Sequence, residues 1–129
     1  AKNFSLLYSG KSPVLAPFYD TLSTAVYPTL TPKMAMKIGS KYKFSEVRVR
    51  HWEQFAKEAE LSPAQVKKRI LGIAKRLPDL ARATKDTFES QGNGHPIIDQ
   101  IVTLIDQRCA LTIRRLTAPQ FDEPPPEAA

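Results

Sequence analysis

Apolar positions follow two rhythms along the chain. At the start they come in short runs: Phe4, Leu6, Leu7 and Tyr8, then Val14 and Leu15, with Ser9-Gly10-Lys11-Ser12-Pro13 between them. Two such runs around a Gly-containing turn predict a β-hairpin. Leu22, Ala25 and Val26 are spaced for a short helix stopped near Pro28, and Tyr27 to Pro32 reads as an extended loop, since residues before proline avoid the helical region. Met34 to Ile38 alternates and predicts a short extended piece closed by Gly39-Ser40.

From Ser45 the rhythm is helical. Ser45 is a candidate N-cap, and Val49, Trp52, Phe55, Ala56 and Ala59 share one face. Ser62-Pro63-Ala64-Gln65 then supplies a cap, a proline suited to the first helical position and a capping-box glutamine. The helix it opens is expected to bury Val66, Ile70, Ile73, Ala74 and Leu77, with Lys67, Lys68, Arg69, Lys75 and Arg76 outside. Pro78 is expected to break or kink it, and Asp79 to recap a continuation. Pro96 opens a last helix whose wide apolar stripe, from Ile97 and Ile98 through Ile101, Ile105 and Cys109 to Leu116, predicts a central place in a bundle. Arg108, Arg114 and Arg115 complement its C-terminal dipole.

The expected fold is mainly α, a helical bundle with a small N-terminal β-hairpin, as one domain over residues 1–116. Residues 117–129, with Pro119, Pro124-Pro125-Pro126 and three acids, are expected to form a disordered tail.

Composition narrows the function classes only slightly. The 129 residues carry a net charge of +6, compatible with phosphate-rich partners, but no nucleic-acid reader motif accompanies it. The single cysteine, Cys109, rules out an intramolecular disulfide and fits a reducing cytoplasm; its apolar neighbours favour a buried small hydrophobe over a nucleophile. No apolar run approaches the roughly 18 residues of a membrane span. There is no Gly-rich phosphate loop, no Cys/His cluster and no Ser/His/Asp set, and His51 has no second ligand at metal spacing.

The candidate chemistry lies in the hairpin. A hairpin brings its outer ends together, so the Asn3 amide and the Asp20 carboxylate can meet at one mouth. Both are hard oxygen donors suited to Mg²⁺, but both residue types also flank turns for local hydrogen-bonding reasons. The residues alone leave both readings open. Lys37 likewise reads as an active-site cation meeting phosphate or as a solvated lysine beside an apolar strand.

Ala1-Lys2-Asn3-Phe4-Ser5, followed by Leu15-Ala16-Pro17-Phe18-Tyr19-Asp20-Thr21-Leu22-Ser23-Thr24, resembles the core of the HipA-like protein kinases, the toxin components of bacterial HipA/HipB toxin–antitoxin pairs and their relatives. Met34 to Gly39 and His51-Trp52 extend the likeness. The family's catalytic loop reads Asp-x-His-Ala-Lys-Asn-x-Ser, and its Phe-Tyr-Asp motif supplies a metal-binding Asp. The resemblance implies that Asn3 and Asp20 are Mg²⁺ ligands and that the fold is a kinase C-terminal lobe. It also implies that the catalytic base lies upstream of Ala1, so no catalytic residue is expected in this chain. Lys2 follows the pattern without an assigned role.

By the same resemblance the parent is a cytoplasmic serine/threonine kinase using ATP and Mg²⁺, and the chain is its C-terminal fragment, inactive and without tight ligand binding alone. Implied partners are an N-terminal lobe of the same protein, a HipB-like DNA-binding antitoxin and a protein substrate in the translation machinery. DNA would be met only through the antitoxin, and no membrane is involved. The alternative is a free-standing helical interaction domain with a basic face and no catalysis.

Overall fold

Gly10 sets the first hairpin. Its φ of 76° is open to glycine without a Cβ penalty, and it stands first in a two-residue turn with Lys11, where hairpin turns of the II′ kind place glycine. Strand β1 (Leu6–Ser9) pairs antiparallel with β2 (Ser12–Leu15), Leu6 facing Leu15 and Ser9 facing Ser12. These observations come from a computed structural model that describes residues 3–118. Ala1, Lys2 and residues 119–129 of the tail expected over 117–129 lie outside the described residues, while Thr117 ends the last helix.

The expected helix over Thr21 to Val26 is only a 3-10 turn at Thr24–Val26. The prolines that follow leave it no room to gain a second turn. The extended piece near Met34 is a strand, β3 (Lys33–Ile38), and it has a partner that the apolar pattern does not announce. Strand β4 (Lys41–Lys43) pairs back on it across Gly39-Ser40, with an irregularity in the register. The two hairpins form separate two-stranded sheets.

Helix α1 (Val49–Glu58) starts four residues after the expected cap, because Ser45 sits inside a 3-10 turn over Phe44–Glu46. His51 does the capping instead: its Nδ1 accepts the Arg48 N–H at 2.9 Å, while its own N–H donates to the Arg48 carbonyl at 3.0 Å. Helix α2 (Pro63–Ser90) begins as expected, with Ser62 Oγ accepting the Gln65 N–H at 3.5 Å. It does not break at Pro78. A proline inside a helix forfeits one backbone bond and crowds the preceding turn, at a cost of about 3 kcal/mol. The helix packs on α3 (Pro96–Thr117) on both sides of the proline, through Ile70 and Ala74 before it and Arg82 after it. Beyond Pro78, Arg82 bridges Asp79 at 2.8 Å and Asp106 of α3 at 2.7 Å, and Lys85 pairs with Asp99.

The core sits where the last turns of α3 meet α1, the start of α2 and the preceding loop. Val47, Ala56, Val66, Ala74, Cys109 and Leu116 are buried there. Arg115, expected only to complement a helix end, is buried too, and its Nη1 donates to the Val47 carbonyl at 2.7 Å. Val66 and Ala74 meet expectation, but Ile73 is 63% exposed and Leu77 39%. The contact face of α2 is narrower than its apolar stripe. Ile73 and Leu77 edge an apolar cleft of about 310 Å³ with Ile70 and Ile105, rather than filling it.

Candidate functional site

The site is built on the strand ends that leave the first hairpin. The ladder continues one step, the Ala16 N–H donating to the Ser5 carbonyl at 2.8 Å. Carried on in that register, Asn3 would face Phe18. After Pro17 the chain instead runs ahead, and side chains make the remaining rungs. Phe4 and Phe18 meet edge to face with centroids 5.5 Å apart, and Ser5 Oγ lies 2.8 Å from the Tyr19 hydroxyl. The last rung joins Asn3 Nδ2 to Asp20 Oδ2 at 3.5 Å, a long hydrogen bond between exposed groups. The sequence pattern brought Asn3 and Asp20 to one mouth; it missed the Phe4–Phe18 and Ser5–Tyr19 rungs that keep them there. Their signal was the pairing of like residue types on either side of the turn.

Asp20 has φ 55°, in the left-handed region. Asp and Asn tolerate that region better than other non-glycine residues, and such conformations persist where surroundings impose them. Here the turn aims the carboxylate back at Asn3 instead of along the strand.

The donor set suits a small hard cation in kind. The carboxylate is anionic and, like the amide, exposed to water; a half-turn of the amide presents its oxygen in place of its N–H. Two protein oxygens with open surroundings fit Mg²⁺, which keeps several waters and takes phosphate oxygens beside one or two protein ligands. Among the described residues, no group of three or more His, Cys, Asp or Glu side chains could hold a metal by itself.

Lys37 lies exposed on β3, in the other hairpin, whose sheet is separate from the one that carries Asn3 and Asp20 at its strand ends. His51 is buried and serves the α1 cap. Burial first, and then the charges of Arg50, Lys41, Arg48 and Arg115, hold its pKa below the ordinary 6.5. Cys109 is buried on α3, and desolvation, with Asp106 adding to it, pushes its thiol pKa up, away from a reactive thiolate. No described helix is long and apolar enough to cross a membrane.

A family model described as the HipA-like C-terminal domain matches residues 1–81. A protein of Sinorhizobium fredii (strain NBRC 101917 / NGR234), named "Putative kinase Y4mE", is 44% identical over 89 residues, covering 68% of this chain and 21% of that protein. The chain thus spans about a fifth of the length of that relative. No solved structure matches it.

Proposed function

The chain belongs to the HipA-like C-terminal domain family, and on that premise we propose that it is the metal-holding C-terminal piece of an ATP-dependent serine/threonine protein kinase. The observation that carries this reading is the meeting of Asn3 and Asp20 at 3.5 Å, since the family resemblance makes those two residues the metal ligands. Asp20 would supply the anionic oxygen and Asn3 the neutral one. Mg²⁺ bound there with ATP would neutralise charge on the phosphates during transfer.

The protein's own part is positioning. The Phe4–Phe18 contact and the Ser5–Tyr19 hydrogen bond fix the spacing of the two strand ends, so the ligand pair is held before any cation arrives. The left-handed turn at Asp20 keeps its carboxylate beside Asn3 rather than along the strand. Phosphoryl transfer also requires a base at the acceptor hydroxyl and a lysine on the nucleotide phosphates. We assign the base to an Asp upstream of Ala1 and the lysine to a preceding lobe. The 3-10 turn at Thr24–Val26, which follows this edge, packs on α3, where Val26 and Leu104 line a shallow cleft.

In the same reading the parent is the toxin of a type II toxin–antitoxin pair in the cytoplasm. A HipB-like DNA-binding antitoxin and a protein of the translation machinery are its partners. The coding sequence upstream of Ala1 tests the assignment. An in-frame Asp-x-His immediately before Ala1, preceded by several hundred codons, is expected; a start codon there with nothing before it would overturn the kinase reading.

A further inference from the structure

The first half of α2 carries a face that the kinase reading does not use. From Pro63 to Pro78 the helix holds five cations, Lys67, Lys68, Arg69, Lys75 and Arg76, and no acid. Lys68, Arg69 and Arg76 border an open groove of about 670 Å³ on the surface of α2 itself, and Ile73, Leu77 and Leu80 line it as well. These three follow one another at helical spacing and are 63%, 39% and 55% exposed. Gly72 makes the floor: a Cβ there would meet nothing within 4 Å. Glycine is a poor residue for a helix interior, so at this position it exchanges helix propensity for room.

We propose that this face docks an acidic amphipathic helix of a partner protein, its apolar side chains on Ile73, Leu77 and Leu80 and its carboxylates against Lys68, Arg69 and Arg76 beside Gly72. Three features select that occupant. The cations have no acid among them on this half of the helix, so an incoming carboxylate meets a run of positive charge. The row of Ile73, Leu77 and Leu80 has no use on a phosphate backbone, but it offers an apolar strip to the apolar face of an amphipathic helix. A second copy of this chain, with a net charge of +6, would bring like charge to the same face.

The test uses the 129-residue chain and a synthetic amphipathic peptide of about 18 residues with leucines along one face and glutamates on both sides. Fluorescence anisotropy reads its binding. Gly72→Leu fills the groove while improving helix propensity, so it should weaken the peptide at least about tenfold with the far-UV circular dichroism unchanged. The Arg69→Ala/Arg76→Ala pair should do the same and flatten the salt dependence. Full affinity in a folded Gly72→Leu chain overturns the proposal. So does equal binding of a peptide with serines for leucines, or competition by short duplex DNA as strong as by the peptide itself. Two further outcomes would overturn it in favour of another occupant: truncation after Ala118 tightening the peptide tenfold, which assigns the groove to this chain's own acidic end, or dimerisation lost in Gly72→Leu.

Discussion

Gly39 and His51 touch backbone to backbone: a Cβ on Gly39 would stand 2.7 Å from the His51 carbonyl oxygen and 2.9 Å from its Cα. This contact seats the second hairpin on α1, directly under the histidine that caps the helix. Gly39 also has φ 56°, so an L side chain there is strained before it clashes.

Gly39→Ala should therefore destabilise far more than Gly10→Ala, although both glycines have positive φ. At Gly10 an added Cβ meets nothing within 4 Å, and the cost is the backbone term alone, roughly 1–2 kcal/mol. At Gly39 backbone must move as well, and the total should exceed about 2 kcal/mol. Urea unfolding of the two variants gives the comparison. Equal midpoints would show that the hairpin does not rest on α1.

His51 predicts a pH dependence with a definite sign. Its folded pKa lies below the ordinary 6.5, chiefly through desolvation and then through nearby Arg50, Lys41, Arg48 and Arg115. Below pH 6.5 the unfolded chain takes up a proton that the folded chain refuses, so stability falls with falling pH and levels off below the folded value. Above 6.5 this residue contributes no slope. Protonation also removes the Nδ1 acceptor of the Arg48 N–H. His51→Gln keeps an acceptor at the capping-box position but does not titrate. Chemical denaturation from pH 5 to 7 should show a shallower slope for that variant than for the unmodified chain.

The core assignment separates two residues that the apolar pattern treats alike. Leu116 is 1% exposed, and truncating it to Ala should cost about 2–5 kcal/mol. Ile73→Ala should stay within about 1 kcal/mol, because its side chain is mostly in water already. Thermal unfolding of both distinguishes them. Similar losses would mean that the cleft beside Ile73 closes in solution.

Those residues also show how far the sequence could be read. Ser62 and Pro63 placed the start of α2 because capping is local chemistry, written within four residues. The hairpin around Gly10 was legible for the same reason, and it allowed Asn3 and Asp20 to meet, as they do at 3.5 Å. What failed was non-local. Pro78 read as a break or a kink, and of these the break is absent: α2 runs on through it, packed against α3. Ile73 and Leu77 looked buried, but periodicity shows which residues share a face, not how much of that face a neighbour covers. Strand β4, Lys41-Tyr42-Lys43, has no apolar alternation to announce it; the Gly39 turn and the pairing with β3 make it a strand. Arg115 reads as a solvated helix end until the loop carbonyl of Val47, 68 residues earlier, meets it.

The chain by itself should neither hydrolyse ATP nor phosphorylate protein. On the proposed reading the base and the nucleotide-holding lysine are not among these 129 residues, and two protein oxygens give Mg²⁺ little reason to shed water without substrate phosphates. Release of labelled phosphate from ATP by the 129-residue chain should equal that of buffer. Turnover abolished by Asp20→Asn would place the whole catalytic apparatus in this chain, against the assignment made above.

The most direct test of the metal-ligand assignment is Asp20→Asn in the longer protein that we propose. Asn tolerates the left-handed φ of 55° as Asp does, so the variant removes the anionic oxygen without straining the turn. Both site residues are exposed, and neither change should unfold the protein. Transfer of radiolabelled phosphate to protein is measured alongside circular dichroism on the same samples. The expected result is transfer abolished by Asp20→Asn, a smaller loss for Asn3→Ala, and unchanged spectra for both. Full transfer by a folded Asp20→Asn protein would contradict the role assigned to this pair.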